Sequence, residues 1–263
     1  APFSSLSYYV CMKYQKHKKS HSSYETGTTH FGFATVSTYD KAEMVKSVFD
    51  NVASQYDLMN DLMSLGIHRL WKSIFVDRLE PRSETKLIDV GGGTGDIAIK
   101  FLKSGGGEVT VCDINFEMVN LGRDRAINKG LLSKINWVNG DAENLPMPEH
   151  TFDAYTSAFC LRNVTNIESA LSEAHRILKP GGHFLCLEFS HVVLPIIRKM
   201  YDTYSFNVLP WLGKMVVNDE ISYRYLVESI RRFPDQGKFT NMITDAGFKL
   251  VHHQNLSGGI ASI

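Results

Sequence analysis

The stretch "LIDVGGGTGDIAIKFL", residues 87–102, decides how the rest of the chain is interpreted. It begins with an apolar run typical of a buried strand, passes through a cluster of glycines, and ends in a pattern typical of a helix. In doubly wound α/β folds, a glycine turn between the first strand and the first helix holds a cofactor. The stretch therefore predicts a cofactor site.

Further strand-like runs follow this turn and alternate with stretches that can hold helices. The runs are KLIDV, which leads into the turn, then EVTVCDI, KINWVNG, FDAYTSAF and HFLCLEFS. The clearest helix is predicted over Ile167–Lys179, with Thr165 and Glu168 as a capping box and KPGG ending it. A helix over 239–248 precedes a terminal hairpin that bends at Gly258 and Gly259. This alternation predicts an α/β fold with a Rossmann-like, mostly parallel, seven-stranded sheet and an antiparallel edge hairpin.

Two amphipathic helices are predicted before the first strand of this sheet. The first has Val45, Val48, Phe49, Val52 and Tyr56 on one face, and a break at DLMNDLMSLG separates it from the second. The apolar face of the second helix carries Ile67, Leu70, Trp71, Ile74 and Phe75, and its polar side carries His68, Arg69, Lys72 and Arg78. The domain is therefore predicted over residues 41–263, with N-terminal helices at 41–80 and an aromatic-rich, substrate-side insertion at 191–236.

Residues 1–40 differ in composition from this domain, because they are rich in Ser, Thr, Lys and His and poor in acids. This pattern is typical both of an organelle transit peptide and of a disordered tail, and the sequence leaves the two open. At the other end the chain stops inside the second strand of the terminal hairpin, which suggests that the natural C-terminus lies further on.

The bulk composition excludes several classes of function. The 28 basic and 28 acidic residues balance, so a nucleic-acid partner is not expected. Cys11, Cys112, Cys160 and Cys186 are scattered without a C-x-x-C pair, and the histidines show no metal spacing. We therefore expect free thiols and no metal site. No apolar run reaches the ~18–20 residues that span a bilayer, so a membrane contact would be made at the surface.

The spacing of the glycine turn selects among cofactors. A dinucleotide turn would have a small residue where this chain has Asp96, whereas Asp89, Gly91, Gly93 and Gly95 follow an acid-x-Gly-x-Gly-x-Gly pattern. That pattern resembles the first motif of class I S-adenosylmethionine-dependent methyltransferases. Adenosylmethionine has no pyrophosphate for an acid to repel, and its ammonium group can be accepted by carboxylates and carbonyls. Thr94 belongs to the same turn.

Two further acids occur where a nucleoside needs acceptors. Asp113 ends the second strand about 20 residues past the turn, from where a carboxylate can accept both ribose hydroxyl protons, with Ile114 beside it. Asp141 follows the third strand and can accept from the adenine amino group, while Ala142 supplies a backbone N–H. The loops after the first three strands thus carry the glycine turn, Asp113 and Asp141 in the order that this cofactor requires. The sequence therefore predicts S-adenosyl-L-methionine as the cofactor.

Longer motifs make the resemblance more specific. They are VFDNVASQYDLMNDLMSLGIHRLWK, DVGGGTGD, FCLRNVTN, ILKPGG, LEFS, YDTYSFNVLP and SYRYLVESIRRFPD. From about Lys41 to the C-terminus the chain resembles the ubiquinone/menaquinone biosynthesis C-methyltransferases, and its N-terminal tail favours their mitochondrial branch. The resemblance implies carbon methylation of a polyprenylated methoxy-benzoquinol by a peripheral protein on the matrix side of the mitochondrial inner membrane. It also implies other enzymes of a ubiquinone-synthesis complex as partners, and a homodimer is a further expectation.

Candidate catalytic residues follow the fourth strand. The resemblance assigns Arg162 to electrostatic stabilisation of an ionised ring, or to holding a water, and Asn163 to orienting that water or the substrate oxygen. The alternative for Arg162 is a structural salt bridge, and Glu188 is a rival base. Tyr56, Tyr201 and Asp202 are the expected substrate-binding residues.

Two other functions stay open at this point: a quinone-pathway O-methyltransferase, and a non-catalytic adenosylmethionine-binding scaffold of a quinone-synthesis complex. The apolar face with Trp71 and the loop with Phe206, Leu209, Trp211 and Leu212 are expected to dock on a membrane surface. The alternative is that both stretches pack against each other or form a dimer contact.

Overall fold

A computed structural model describes residues 27–52, 56–209, 211 and 220–263 of the chain. Within these ranges, nine strands form two sheets. The strands are β1 Thr28–Phe31, β2 Ala34–Ser37, β3 Lys86–Val90, β4 Glu108–Asp113, β5 Ile135–Asn139, β6 Phe152–Ala158, β7 Leu178–Phe189, β8 Asn255–Leu256 and β9 Ala261–Ser262. The α-helices are α1 Thr38–Val52, α2 Tyr56–Ser64, α3 His68–Asp77, α4 Asp96–Lys103, α5 Phe116–Asn128, α6 Ile167–Ile177, α7 Pro195–Thr203, α8 Glu220–Arg232 and α9 Gln236–Asp245.

The main sheet has seven strands in the order β5-β4-β3-β6-β7-β9-β8. Its first five strands are parallel, and β9 and β8 complete it as an antiparallel edge hairpin. The order reverses between β3 and β6, where the glycine turn leaves β3. This arrangement confirms the predicted fold class, including the bend at Gly258 and Gly259, which have positive φ angles.

Both faces of the sheet are covered by helices. Leu87 of β3 joins a core cluster with the N-terminal helices and α8, whereas Ile88 and Val90 join a second cluster with α6 and α9. Adjacent residues of β3 thus enter opposite cores, which is why this strand is an almost continuous apolar run. The sheet is fixed from both sides, and its carboxyl edge presents the glycine turn.

The predicted tail is wrong for residues 28–40. Strands β1 and β2 pair as an antiparallel hairpin over residues 28–37, and α1 begins at Thr38. Phe31 of the hairpin is buried and stacks on Tyr225 of α8, so tertiary packing gives this segment the structure that its local composition does not indicate. Residues 1–26, which carry most of the transit-peptide-like composition, lie outside the described part.

The predicted break at DLMNDLMSLG is also wrong, because α2 occupies most of it. Met59 and Met63, four residues apart, are both buried and place one face of this short helix in the core. A turn at Leu65 and Gly66, both with positive φ, then leads into α3. In the described part of the chain, three α-helices therefore precede β3 instead of two.

The polar side expected for α3 is corrected as well. His68 and Lys72 are buried, since His68 pairs with Asp61 and Lys72 donates to the Asp96 carboxylate at 2.8 Å. Leu70 is 61% exposed, although it was assigned to the apolar face. Polar side chains with partners on α2 and α4 are thus buried on this helix beside Trp71 and Phe75, which hydrophobicity alone does not predict.

Helix α6 begins at the predicted place with a different cap. Asn166 caps it by accepting the N–H of Ser169 at 3.0 Å, while the N–H of Thr165 donates to Glu143. The helix ends at Ile177, two residues earlier than predicted, and β7 begins at Leu178.

Candidate functional site

The glycine turn between β3 and α4 is held in a conformation that favours glycine. Gly91, Gly93 and Gly95 have φ angles of 65°, 53° and 76°. The N–H of Gly91 donates to the carbonyl of Cys112 at 2.8 Å, which ties the turn to the end of β4. A Cβ atom at Gly91 would lie 2.1 Å from the Cys160 Sγ. The backbone of Gly91 therefore approaches the Cys160 side chain so closely that there is no room for a methyl group.

The carboxylate of Asp113 closes the other side of the turn. Its Oδ2 accepts the N–H of Gly93 at 2.7 Å, and its Oδ1 accepts the N–H of Asn115 at 2.8 Å. Burial raises the pKa of Asp113, and these two backbone hydrogen bonds oppose the rise. A carboxylate oxygen accepts more than one proton, so each oxygen keeps capacity for a ligand hydroxyl.

An opening, here called the cofactor opening, lies over the turn and the ends of β4, β5 and β6. The residues that line it come from α1 and from the loops at the carboxyl edge of the sheet: Ala42, Val45, Lys46, Phe49, Val90, Gly91, Gly93, Asp113, Ile114, Asn115, Met118, Gly140, Asp141, Ala142, Glu143, Phe159, Cys160, Asn163, Val164 and Thr165. The lining combines apolar side chains with carboxylates, which suits a nucleoside with an apolar ring edge and a polar sugar.

Six of the eight predicted cofactor residues line this opening together: Gly91, Gly93, Asp113, Ile114, Asp141 and Ala142. The other two shape the turn from behind. Thr94 is buried and accepts from the Arg125 guanidinium at 2.9 Å. Gly95 precedes α4 and would meet the Trp137 ring if it carried a side chain.

The first acid of the motif has a different environment from the one expected. Asp89 is fully buried, and a side chain at Gly92 would meet its Oδ2 at 2.7 Å, so the carboxyl group supports the turn from the core. Thr156 donates to its Oδ1 at 2.9 Å, while Oδ2 has no hydrogen-bond partner within the described part of the chain. Burial raises the pKa of Asp89 to about 7, and the Thr156 hydrogen bond opposes the rise.

This pKa leads to a prediction about stability. The folded chain keeps a proton on Asp89 up to about pH 7, whereas the unfolded chain releases it near the ordinary pKa of 3.8. The contribution of Asp89 to the free energy of unfolding is therefore fully present below pH 3.8. It is lost as the pH rises towards 7, and the loss amounts to roughly 4 kcal/mol. Urea unfolding of Asp89→Asn at pH 4 to 8 should show a shallower decline than the wild type. An identical slope in both proteins would contradict the assignment.

Arg162 forms a buried salt bridge, the structural role that the sequence analysis gives as the alternative to a catalytic one. Its side chain is 0% exposed, and one guanidinium nitrogen donates to Glu188 at 3.0 Å and to the Phe159 carbonyl at 2.6 Å. The guanidinium also lies over the Phe189 ring, 5.7 Å from its centroid. Burial raises the pKa of Glu188, and the Arg162 cation opposes the rise. Neither residue is among those that line the cofactor opening.

Asn163, by contrast, lines the opening beside Cys160 and Phe159. It ends the short 3-10 turn Leu161–Asn163 that also carries Arg162. Its amide oxygen accepts the Tyr225 hydroxyl at 3.0 Å, and its amide nitrogen lies 3.4 Å from the Phe159 carbonyl. The structure therefore places Asn163 in the lining of the cofactor opening and leaves Arg162 out of that lining.

The predicted substrate residues lie on the insertion side. The Tyr201 hydroxyl donates to the Met63 carbonyl at 3.4 Å, and Asp202 pairs with Arg231 of α8. Both residues thereby fasten α7 to its neighbours, and neither lines the cofactor opening. The prediction for Tyr56 concerns a side chain outside the described part.

Sequence reasoning missed the contribution of α1 to the site. Val45, Lys46 and Phe49 line the cofactor opening, and Asp50 accepts from the Asn115 amide at 2.8 Å across it. Lys41 donates to the Val164 carbonyl at 2.6 Å. The helical period of α1 is visible in the sequence, but its position over the turn depends on these long-range contacts.

The described residues offer neither a metal site nor a membrane-spanning helix. Within the described ranges, no group of three or more His, Cys, Asp or Glu side chains could hold a metal ion. None of the helices in that part is long and apolar enough to cross a membrane. Cys112, Cys160 and Cys186 are free thiols, and Cys11 lies outside the described residues.

Comparison with known proteins agrees with this geometry. The profile of the ubiE/COQ5 methyltransferase family matches residues 36–263. The chain belongs to this family. It is 51% identical to the mitochondrial 2-methoxy-6-polyprenyl-1,4-benzoquinol methylase of Dictyostelium discoideum over 265 residues, covering 89% of this chain and 84% of the relative. It is 54% identical to the ubiquinone/menaquinone biosynthesis C-methyltransferase UbiE of Cereibacter sphaeroides over 239 residues, covering 90% and 96%.

A solved structure agrees on the fold. The crystal structure of a SAM-dependent methyltransferase from Aquifex aeolicus superposes with a TM-score of 0.55 at 16% identity, covering 80% of this chain and 93% of that one. The family and the fold make this chain an S-adenosylmethionine-dependent methyltransferase. The turn fits that group, since it offers a close backbone approach at Gly91 and a doubly fixed carboxylate at Asp113.

Proposed function

We propose that this chain methylates a ring carbon of a polyprenylated methoxy-benzoquinol in ubiquinone biosynthesis. The observation that carries the proposal is a match at about 50% identity to relatives with that activity in their names, together with Asn163 at the cofactor opening. S-adenosyl-L-methionine supplies an electrophilic methyl group when it is bound. The chain must align the ring carbon with that methyl group and make the carbon nucleophilic.

A quinol ring carbon becomes nucleophilic when a neighbouring phenolic hydroxyl gives its proton to water. Once the carbon has gained the methyl group, the hydrogen that it carried leaves as a proton to water, which restores the aromatic ring, and the ring oxygen regains a proton from water, which restores the hydroxyl. In our proposal the Asn163 amide contacts the ring oxygen and stabilises the charge that develops on it. Arg162 acts indirectly, because its buried ion pair with Glu188 holds the turn that carries Asn163. This role replaces the direct contact with the ionised ring that the resemblance implied, and it fits a guanidinium with no exposed surface. Tyr201, Asp202 and Tyr56 remain proposed substrate-binding residues.

Asn163→Leu tests this assignment. The variant should bind adenosylhomocysteine as the wild type does and should turn over a short-tailed quinol analogue about 10²–10³ times more slowly, as expected for the loss of one oxyanion donor. Calorimetry measures binding, and mass spectrometry measures the methylated product. Turnover at the wild-type rate would rule out contact between Asn163 and the reacting ring. Asp124→Asn, a change on the exposed side of α5, is the matched polar control.

Fragmentation of the product in the mass spectrometer separates the alternatives, because the O-methylated and carbon-methylated products have the same mass. An O-methyltransferase would give a product that has lost a phenolic hydroxyl, whereas the carbon-methylated product keeps both. A non-catalytic scaffold would bind adenosylhomocysteine and form neither product.

We also propose a peripheral position on a membrane, on the matrix side of the mitochondrial inner membrane, with other enzymes of quinone synthesis as partners and a homodimer as one assembly. Mitochondrial relatives support the compartment. The docking surface that we propose leaves out Trp71, because this side chain is 2% exposed and donates a hydrogen bond to Ser257 inside the protein. Leu65, Leu70, Met200 and Trp211 are exposed on the N-terminal helices and the insertion.

Flotation with anionic liposomes tests this surface. Wild-type protein should float at low salt, and Leu70→Ser/Met200→Ser should float at least tenfold less, since each apolar side chain contributes about 1.5 kcal/mol when buried. Leu250→Ser is the control, because Leu250 is 95% exposed on the C-terminal segment. Wild-type protein that stays at the bottom would mean that these exposed apolar side chains contact a protein partner and not lipid.

A further inference from the structure

Tyr225 of α8 reaches the site from the insertion side. Its hydroxyl donates to the Asn163 amide oxygen at 3.0 Å, although the two residues are 62 positions apart. The side chain is buried, and burial raises the pKa of Tyr225 well above its usual value. The group therefore stays a neutral hydroxyl over the whole physiological range and is available as a hydrogen-bond donor.

This contact determines which end of the Asn163 amide faces which neighbour. An asparagine amide can be turned over, which exchanges its acceptor oxygen and its donor nitrogen. With the oxygen on Tyr225, the nitrogen lies 3.4 Å from the Phe159 carbonyl, a distance that is attractive for an N–H group. The reverse orientation would set the amide oxygen against that carbonyl oxygen. The two neighbours thus fix which end of the amide is the donor, in a residue that lines the cofactor opening.

The Tyr225 ring is itself held by the N-terminal hairpin. Phe31 of β1 stacks on it with ring centroids 4.1 Å apart and an interplanar angle of 14°. Three residues further along α8, the Glu228 carboxylate accepts the N–H of Phe33 at 3.0 Å. Gly32 makes this approach possible, since it has a positive φ and a side chain there would overlap Glu228. The hairpin and α8 therefore form one support beneath Asn163.

We propose that Tyr225 is a positioning residue for the methylation reaction, which holds the Asn163 amide with its NH2 group directed at an oxygen of the aromatic substrate. The inference rests on the proposed function, because it requires Asn163 to contact the ring oxygen. A donor fixed in advance costs no reorganisation as negative charge develops on that oxygen. Phe31 contributes by restricting the motion of the Tyr225 ring.

A double-mutant cycle between the two residues tests the proposal. Tyr225→Phe removes one hydroxyl and should lower kcat/KM for a short-tailed quinol analogue about tenfold, in kcat more than in KM. Its affinity for adenosylhomocysteine should equal that of the wild type. In an Asn163→Ala background, Tyr225→Phe should have no further effect on kcat/KM, because the group that it orients is gone.

Tyr155→Phe is the matched control, since its buried hydroxyl has no hydrogen-bond partner within the described residues. It should leave kcat/KM unchanged. Losses in kcat/KM that multiply in the Tyr225→Phe/Asn163→Ala protein would overturn the positioning role and leave the proposed function intact. Wild-type protein that forms no carbon-methylated quinol would overturn the proposed function, and this inference with it.

Discussion

Asp113→Asn lowers the affinity for adenosylhomocysteine by about 100-fold or more. Hydrogen bonds to a charged group contribute about 1.5–3 kcal/mol each, and the substitution removes the charge that would accept both ribose hydroxyls. The backbone N–H groups of Gly93 and Asn115 each donate to a different oxygen of the Asp113 carboxylate. The substitution replaces one of these two oxygens with an NH2 group, which cannot accept a hydrogen bond. Two N–H groups meet one acceptor, so the turn loses a hydrogen bond even before ligand arrives.

Isothermal calorimetry with adenosylhomocysteine measures this loss. Asp124→Asn, which changes an exposed acid on the helix that follows Asp113, should bind as the wild type does. An Asp113→Asn protein with affinity within threefold of the wild type would show that the ribose is held elsewhere. Asp141 would then be the residue to examine, since its carboxylate lines the same opening.

The parts of the molecule that local sequence determines were predictable. The sequence locates four of the five parallel strands to within one residue at each end, because each is a short apolar run rich in strand-forming residues. The fifth, β7, begins at Leu178, five residues before the predicted run HFLCLEFS, so that KPGG, the predicted end of the preceding helix, lies inside the strand. The cofactor residues followed from the glycine spacing and from acids at strand ends, since the carboxyl ends of parallel strands meet at one edge. Six of eight predicted residues line one opening for this reason.

The parts that depend on long-range partners were not predictable. Residues 28–40 carry no apolar period of their own, and they fold because Phe31 finds Tyr225 almost 200 positions later. His68 and Lys72 look like surface residues until Asp61 and Asp96 are seen beside them. The position of Arg162 also depends on a distant partner, since Glu188 lies near the end of β7, and the sequence offers this salt bridge only as the alternative to a catalytic role. A buried charge is indistinguishable in sequence from an exposed one, because only the partner decides its burial.

Gly91→Ala combines a backbone cost with a steric one, and its effect on cofactor binding should exceed that of any other alanine substitution in the turn. An alanine with a φ near 65° costs about 1–2 kcal/mol. Its methyl group would also meet the Cys160 side chain, with Sγ at 2.1 Å and Cβ at 2.4 Å. At Gly93 the nearest atom is the end of the flexible Met118 side chain at 3.0 Å, which can move. Gly91→Ala should therefore displace the turn and abolish measurable binding of adenosylhomocysteine.

Gly130→Ala separates the two costs. Gly130 has a φ of 68°, close to that of Gly91, and nothing lies within 4 Å of a side chain placed there. This control should lose only the backbone contribution, a decrease in Tm of roughly 2–8 °C, and should bind adenosylhomocysteine normally. Gly91→Ala/Cys160→Gly should recover part of the binding, because removing the cysteine side chain frees the space that the new methyl group needs. If the double variant binds no better than Gly91→Ala alone, the overlap with Cys160 is not the cause, and the strained φ angle in the turn accounts for the loss.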